Sequence, residues 1–376
     1  MSDDYDDPSD DDEAPFDGAV ELAEPRANSE LFGHETAEQM LLQAYLSGRL
    51  PHAWLITGPR GVGKATLAFR FARFLLAEGA SGGGGGLFFA APPASLVVDP
   101  SHPVFRRIAA GGHGDLLTVE RTAGKRDRKR AEIVVEDTRT IGAFLRLTSA
   151  EGGWRIVIID EADLMNSNAA NAVLKILEEP PRQALLMLLS DNPGRLLPTI
   201  RSRCRKLALK RLPDELVTRC LATVRPDLSP GDTEQLARLA EGSLGRALEL
   251  ANQGGLELQK SLVRILVQLP RLDGAGLHAF ADKLVRAEAD QSYRLVAELL
   301  PAWVARMIST ISNPARDQPS GAEGEAMRRL AARRNLDQWV EVWEKLTHLF
   351  AQADGINLDR KQVLLNAFFA LEEAAR

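Results

Sequence analysis

The run AWLIT at residues 53–57 is apolar on successive positions and is closed by Gly58, a pattern that predicts a short buried strand. Before it, Met40, Leu41, Leu42, Tyr45 and Leu46 recur at helical spacing. After it, KATLAFRFARFLLAEG sets Leu67, Phe71, Phe74 and Leu75 on one stripe, with Gly79 as the expected C-terminal stop. Further along, DLLTVER predicts a strand, EIVVEDTRTIGAFLRL a short strand leading into a helix, and WRIVIIDEAD another strand. Its core, Ile156 to Ile159, has no polar alternation, which suits a parallel strand covered on both faces. Asn166 or Ser167 can cap NAANAVLKILEE, which Pro180 and Pro181 end, and ALLMLLS then repeats the uninterrupted apolar character. Strands alternating with helices over residues 50–210 imply an α/β fold with a doubly wound parallel sheet, which binds ligands at the carboxyl ends of its strands.

Past Arg211 the strand signals stop. DTEQLARLAEGSLGRALELA reads as helices broken by Gly242 and Gly245, and residues 256–376 carry amphipathic helical patterns punctuated by Pro301, Pro314 and Pro319. Residues 79–114, with SGGGGG at 81–86, read as an insertion loop.

Composition changes this picture at one end of the chain. The formal charge of the 376 residues is −6, but residues 1–24 hold eleven acidic and no basic side chains, so the remainder carries −6 + 11 = +5. A block of like charge with little to bury leads us to expect residues 1–28 to be a disordered acidic tail. The N-terminus lacks the basic start and apolar run of a secretory signal, no stretch approaches a membrane span, and Cys204 and Cys220 are too few for a disulfide framework. Those three facts lead us to expect a cytoplasmic protein with no membrane partner.

Candidate chemistry lies at the strand ends. GPRGVGK, residues Gly58, Pro59, Arg60, Gly61, Val62, Gly63 and Lys64, sits between strand and helix, where glycines let backbone amides surround phosphate oxygens and the lysine adds charge. The next position, normally a Ser or Thr that coordinates magnesium, is Ala65, which has no oxygen to offer. Thr66 is rotated by about 100° on the helix and does not replace it. Hydrolysis is therefore expected to be weak or absent, even with ATP bound. Asp160 and Glu161 end the strand IVII, where one could hold magnesium through its shell and the other polarise water. TIRSRC at 199–204 contributes Arg203, a group able to stabilise charge on a γ-phosphate from its own chain or from a neighbour.

Taken in order, RLPHAWLITGPRGVGKATLA, IVIIDEADLMNSNAANAVLKILEEPP and LLPTIRSRC resemble the AAA+ clamp-loader family of bacterial DNA polymerase III, on the side of its delta-prime members. The resemblance spans residues 32 to about 250. It implies an AAA+ α/β domain at 29–210, a helical lid at 211–255 and a helical collar at 256–376 that joins subunits in a five-membered ring with gamma/tau and delta partners. Through that ring the chain would help load the sliding clamp on primed DNA during replication. It further implies that Arg203 acts in trans on a neighbour's ATP, that Arg246 is the lid arginine sensing nucleotide, that Ser190 or Asp191 stands where motor subunits contact the γ-phosphate, and that Gly33 and His34 lie near the adenine. The chain departs from the family in Ala65 and in lacking the four cysteines of a zinc module, so no zinc or other metal is expected. The basic run Lys125, Arg126, Arg128, Lys129 and Arg130 is a candidate DNA contact, or a solvated loop. The alternative function is an ATP-hydrolysing motor subunit of the gamma/tau type, which Lys64 and the Asp160–Glu161 pair favour and Ala65 opposes.

Overall fold

The computed structural model of the chain describes residues 24–80, 92–121, 132–149, 153–286, 290–312, 321–356 and 358–376. These belong to two compact units, Met1–Leu248 and Glu249–Arg376. The first is built on five strands, β1 (Ala53–Thr57), β2 (Leu116–Val119), β3 (Arg155–Ile159), β4 (Ala184–Ser190) and β5 (Arg205–Ala208). They hydrogen-bond in the order β2-β3-β4-β1-β5, with every neighbouring pair parallel.

Helices α1 (Glu35–Leu46), α2 (Lys64–Ala80), α3 (Pro103–Ala109), α4 (Val135–Arg146), α5 (Ser167–Glu178) and α6 (Pro198–Arg203) precede or connect the strands. Helices α7 (Asp214–Val224), α8 (Pro230–Leu239) and α9 (Leu244–Asn252) follow β5. The continuous apolar runs have the two-sided burial expected of a covered parallel sheet. Leu55, Val157, Ile159, Leu186 and Leu188 join one core with Ile141 and Leu145 of α4 and Val173 and Leu177 of α5. The intervening Trp54, Ile56, Ile156, Ile158, Leu185, Met187 and Leu189 are equally buried. They face the side of α2, whose Leu67, Phe71, Phe74 and Leu75 are all in the core.

Several elements differ from the sequence reading, each for a local reason. The expected strand before α4 reduces to a single bridge, Ile133 to Met165, because Val134 already serves as the N-cap residue of α4. Within the expected 79–114 loop, His102 accepts the Val104 N–H, Pro103 starts the first turn, and α3 forms with Val104, Phe105 and Ile108 buried. Gly79 does not stop α2, which continues to Ala80. Of the two candidate caps for α5, Asn166 is the one used, accepting the Ala169 N–H at 3.0 Å. Gly245 does not break a helix but lies in the first turn of α9. Residues 24–28, expected in the tail, are held by Arg73, which donates to the carbonyls of Arg26 and Asn28 at 3.0 and 2.7 Å and lies over the Phe105 ring. The rest of the acidic tail, the Gly-rich tract, Lys125–Arg130, Pro314 and Pro319 lie outside the described residues.

The second unit contains α10 (Gly255–Leu266), α11 (Gly274–Val285), α12 (Asp290–Ser312), α13 (Gly321–Ala331), α14 (Leu336–Ile356) and α15 (Arg360–Ala375). Helix α12 packs on α10, α11, α13 and α14, and α15 packs on α11 and α14. Trp303, Met307 and Trp339 are fully buried and Trp343 is half-buried. Pro301 does not punctuate but sits inside α12, flanked by the buried Leu300, Trp303 and Val304, whose packing outweighs the lost backbone hydrogen bond. Among the described residues no helix is long and apolar enough to cross a membrane.

Candidate functional site

Residues 58–63 turn between β1 and α2 on backbone that side chains resist, with φ of 72° at Gly61 and 112° at Gly63. Every carbonyl from Gly58 to Val62 is held from outside the loop's backbone. Lys64 Nζ donates to Gly58 O at 3.0 Å and Pro59 O at 2.9 Å. The Ser243 hydroxyl donates to Arg60 O at 2.8 Å, the Gly245 N–H to Gly61 O at 2.9 Å, and His34 Nε2 to Val62 O at 2.8 Å. In a trans peptide the next residue's N–H points opposite to the carbonyl. Tying the Arg60 and Val62 carbonyls outward therefore turns the Gly61 and Gly63 N–H groups the other way, as a phosphate nest requires.

Residues 243–246, at the start of α9, approach this loop at backbone contact. A Cβ on Gly61 would come within 2.6 Å of Ser243 Oγ and 3.0 Å of Arg246 N, and one on Gly245 within 2.9 Å of Gly61 Cα. Arg246 thus stands in the first turn of α9 directly over the loop. Gly33 and His34 come from the other side: His34 is buried against Val62, and the φ of 71° at Gly33 lets Leu212 and Leu216 close over it. A cleft of about 460 Å³ lies along β2 between Arg26, Ile108, His113 and Arg121.

The charged groups at the strand ends are committed to one another. Lys64, only 7% exposed, adds to its two carbonyl bonds an ion pair with Asp191 Oδ1 at 2.5 Å. Asp191 is fixed in turn by its own N–H, which donates to Asp163 Oδ1 at 3.2 Å. Asp160 directly follows β3, and burial pushes its carboxyl above the usual range, opposed by the hydrogen bond it accepts from Glu161 N. Glu161 adopts left-handed backbone, φ 51°, and its carboxylate is gripped by Arg121 on two bonds, Nε to Oε2 at 2.5 Å and Nη2 to Oε1 at 2.8 Å. A carboxylate in a bidentate arginine pair is poorly available to polarise water.

The residues present therefore fit a phosphate chain but not a magnesium-bridged triphosphate. The amides and Lys64 can bind and orient phosphate oxygens, while the first turn of α2 brings only the Ala65 methyl to the magnesium position. Among the described residues no three His, Cys, Asp or Glu side chains cluster as metal ligands. Both cysteines are buried and free, Cys204 after α6 and Cys220 in α7.

Arg203 is not part of this arrangement. It ends α6, pairs with Glu178 Oε1 at 3.0 Å, donates to Thr199 O at 3.1 Å, and keeps 38% of its side chain exposed. The β1–β5 register aligns Arg205 with Trp54, near the amino end of β1, whereas the glycine loop leaves the carboxyl end. Four strand residues separate the two levels, about 13 Å. Arg203 and the chain's own phosphate loop thus lie at opposite ends of the sheet.

Arg121, Asp163, Ser243 and Gly245 were not legible as site residues from the motifs. The signal available for Arg121 was its place two residues beyond the end of a parallel strand, since those ends converge on one crevice.

Compared with known proteins, residues 33–213 match the family described as "DNA polymerase III, delta subunit". The chain is 35% identical over 232 residues to the DNA polymerase III subunit delta' of Pseudomonas aeruginosa, covering 60% of this chain and 64% of that one. It is 30% identical to the Escherichia coli subunit delta' over 61% of this chain and 63% of the relative. It is also 30% identical to the Escherichia coli subunit tau over 73% of this chain but only 40% of the relative. The chain thus spans less than two thirds of the length of each of these relatives. A solved gamma subunit-related protein of Thermotoga maritima aligns with 89% of this chain and 100% of its own at 18% identity and a TM-score of 0.39.

Proposed function

We propose, on the premise that residues 33–213 belong to the DNA polymerase III delta-subunit family, that this chain is a delta-prime-like subunit of a bacterial replicative clamp loader. In this reading it hydrolyses little ATP itself and donates Arg203 to the ATP site of a neighbouring subunit. It works in the cytoplasm, in a ring with gamma/tau and delta subunits that places the sliding clamp on primed DNA, with residues 211–255 as lid and 256–376 as collar.

The observation that carries the proposal is the position of Arg203. An exposed arginine about 13 Å of strand away from its own phosphate loop cannot reach a phosphate bound there, and is presented outward for another molecule. The salt bridge to Glu178 is half-exposed and worth little, so a phosphate can compete for the guanidinium. The groups of the chain's own loop support the same division of labour: Ala65 offers no magnesium ligand, Lys64 is paired with Asp191, and Glu161 with Arg121.

Arg203→Ala tests the assignment in the reconstituted loader. Assembly measured by size exclusion should be unchanged, and DNA-stimulated ATP turnover should fall sharply, because an arginine finger is worth about 10³ or more at the site it serves. Arg203→Lys should rescue little, since an ammonium lacks the planar fork. Turnover equal to that of the unaltered complex would remove the in-trans role. The gamma/tau-type alternative predicts ATP hydrolysis by the isolated chain, which the same preparation measures directly.

A further inference from the structure

We infer that Asp191 is a specificity-determining residue of the glycine loop: it supplies the anion that Lys64 would otherwise take from a terminal phosphate, so that the loop accepts a nucleoside diphosphate in preference to a triphosphate. The inference concerns the chain's own loop and stands whether or not Arg203 serves a neighbour.

The geometry is that of a saturated lysine. An ammonium has three hydrogens to donate, and Lys64 Nζ has three acceptors within reach: Gly58 O at 3.0 Å, Pro59 O at 2.9 Å and Asp191 Oδ1 at 2.5 Å. In phosphate loops this lysine reaches the β- and γ-phosphates. Here the oxygen beside Nζ belongs to a carboxylate, 40% exposed, on a residue whose backbone is fixed. The Asp191 N–H is anchored on Asp163, and Asp191 directly follows β4, whose pairing with β1 sets it beside the loop, with Gly58 N donating to Ser190 O at 3.3 Å.

The rest of the loop remains fit for phosphate. The Gly61 and Gly63 amides are turned away from the carbonyls that Ser243 and His34 hold, a geometry that does not involve Asp191. At the strand end the Ser190 hydroxyl is fully buried and makes no hydrogen bond among the described residues, an unsatisfied donor that a ligand oxygen would satisfy. An α,β-diphosphate can use the amides while the Lys64–Asp191 pair stays intact. A γ-phosphate must enter beside the Asp191 carboxylate, at a distance where like charges repel, and with Ala65 in place no hydroxyl holds a magnesium ion between them.

The test is equilibrium binding of ADP and ATP, each with and without magnesium, to the full isolated chain by calorimetry. The unaltered chain should bind ADP more tightly than ATP by roughly tenfold or more, the direction set by like-charge repulsion. Asp191→Asn, which keeps the shape and removes the charge, should tighten ATP much more than ADP and bring the two affinities together. Lys64→Ala should weaken both. The proposal is overturned if ATP binds as tightly as ADP to the unaltered chain, if neither nucleotide binds, or if Asp191→Asn leaves their ratio unchanged. None of these outcomes depends on Arg203, whose own test reads turnover in the assembled loader.

Discussion

Replacing Gly245 by alanine separates two opposing effects at the contact between the glycine loop and α9. Gly245 lies in the first turn of α9, where alanine is favoured over glycine by up to about 1 kcal/mol, so intrinsic propensity alone predicts a more stable protein. The structure predicts the opposite sign. A Cβ at 245 would sit 2.9 Å from both Cα and O of Gly61, against 3.4 Å for ordinary contact, and the atoms it meets are backbone that cannot rotate aside. Parting the two segments by 3.4 − 2.9 = 0.5 Å stretches the Gly245 N–H to Gly61 O bond from 2.9 Å to about 3.4 Å, at the weak limit of a hydrogen bond. It also pulls Ser243 from Arg60 O. Two hydrogen bonds at about 1 kcal/mol each, with their polar atoms left poorly satisfied, exceed the helical gain and leave a net loss of about 1–2 kcal/mol. Hydrogen exchange is the assay: amides of residues 58–63 and 243–246 should exchange faster by about tenfold, with the strands of the sheet less affected. A variant as stable as the parent, or more so, with unchanged exchange at both segments would refute the docking of α9 on the loop.

Two further outcomes follow from the same geometry. Ala65→Thr by itself should leave the isolated chain with only barely measurable phosphate release, because Glu161 remains locked by Arg121. Combining it with Arg121→Gln should raise turnover by roughly a hundredfold over the single variant, the scale of a general base made available. Equal turnover by the single and double variants would sink that account. At Cys204, burial pushes the thiol from 9.0 up to about 11, so the folded chain keeps a proton that the unfolded chain releases first. Its contribution is complete below pH 9 and is lost as pH rises through 11, about 3 kcal/mol over that window. Denaturant titrations at successive pH values should show this loss, and Cys204→Ala should flatten it.

The sequence determined the class of the fold because it is written in short contiguous patterns. The runs Ala53–Thr57, Arg155–Ile159 and Ala184–Ser190 are apolar without alternation, which only a sheet covered on both faces satisfies, and all three are strands paired in parallel. Gly58 to Lys64 likewise forms the contiguous pattern from which a phosphate loop is expected, and Ala65 puts no oxygen where such loops carry a Ser or Thr. Short elements were harder. Arg205–Ala208 is a four-residue edge strand with one buried side chain, and α3 is a seven-residue helix inside a glycine-rich stretch, too little periodicity for either to stand out.

What the tertiary structure decided is which charges are already satisfied. Asp191 comes from a chain segment more than a hundred residues beyond Lys64, Arg121 lies forty residues before Glu161, and Ser243 is 183 residues from the carbonyl it holds. No local pattern records such pairings, because they are set by strand order in the sheet and by where each strand ends. The same register sends Arg203 to the end of the sheet away from its own loop. Residue type makes a lysine or a glutamate capable of chemistry, and the partner that folding sets beside it decides whether that capacity is still available.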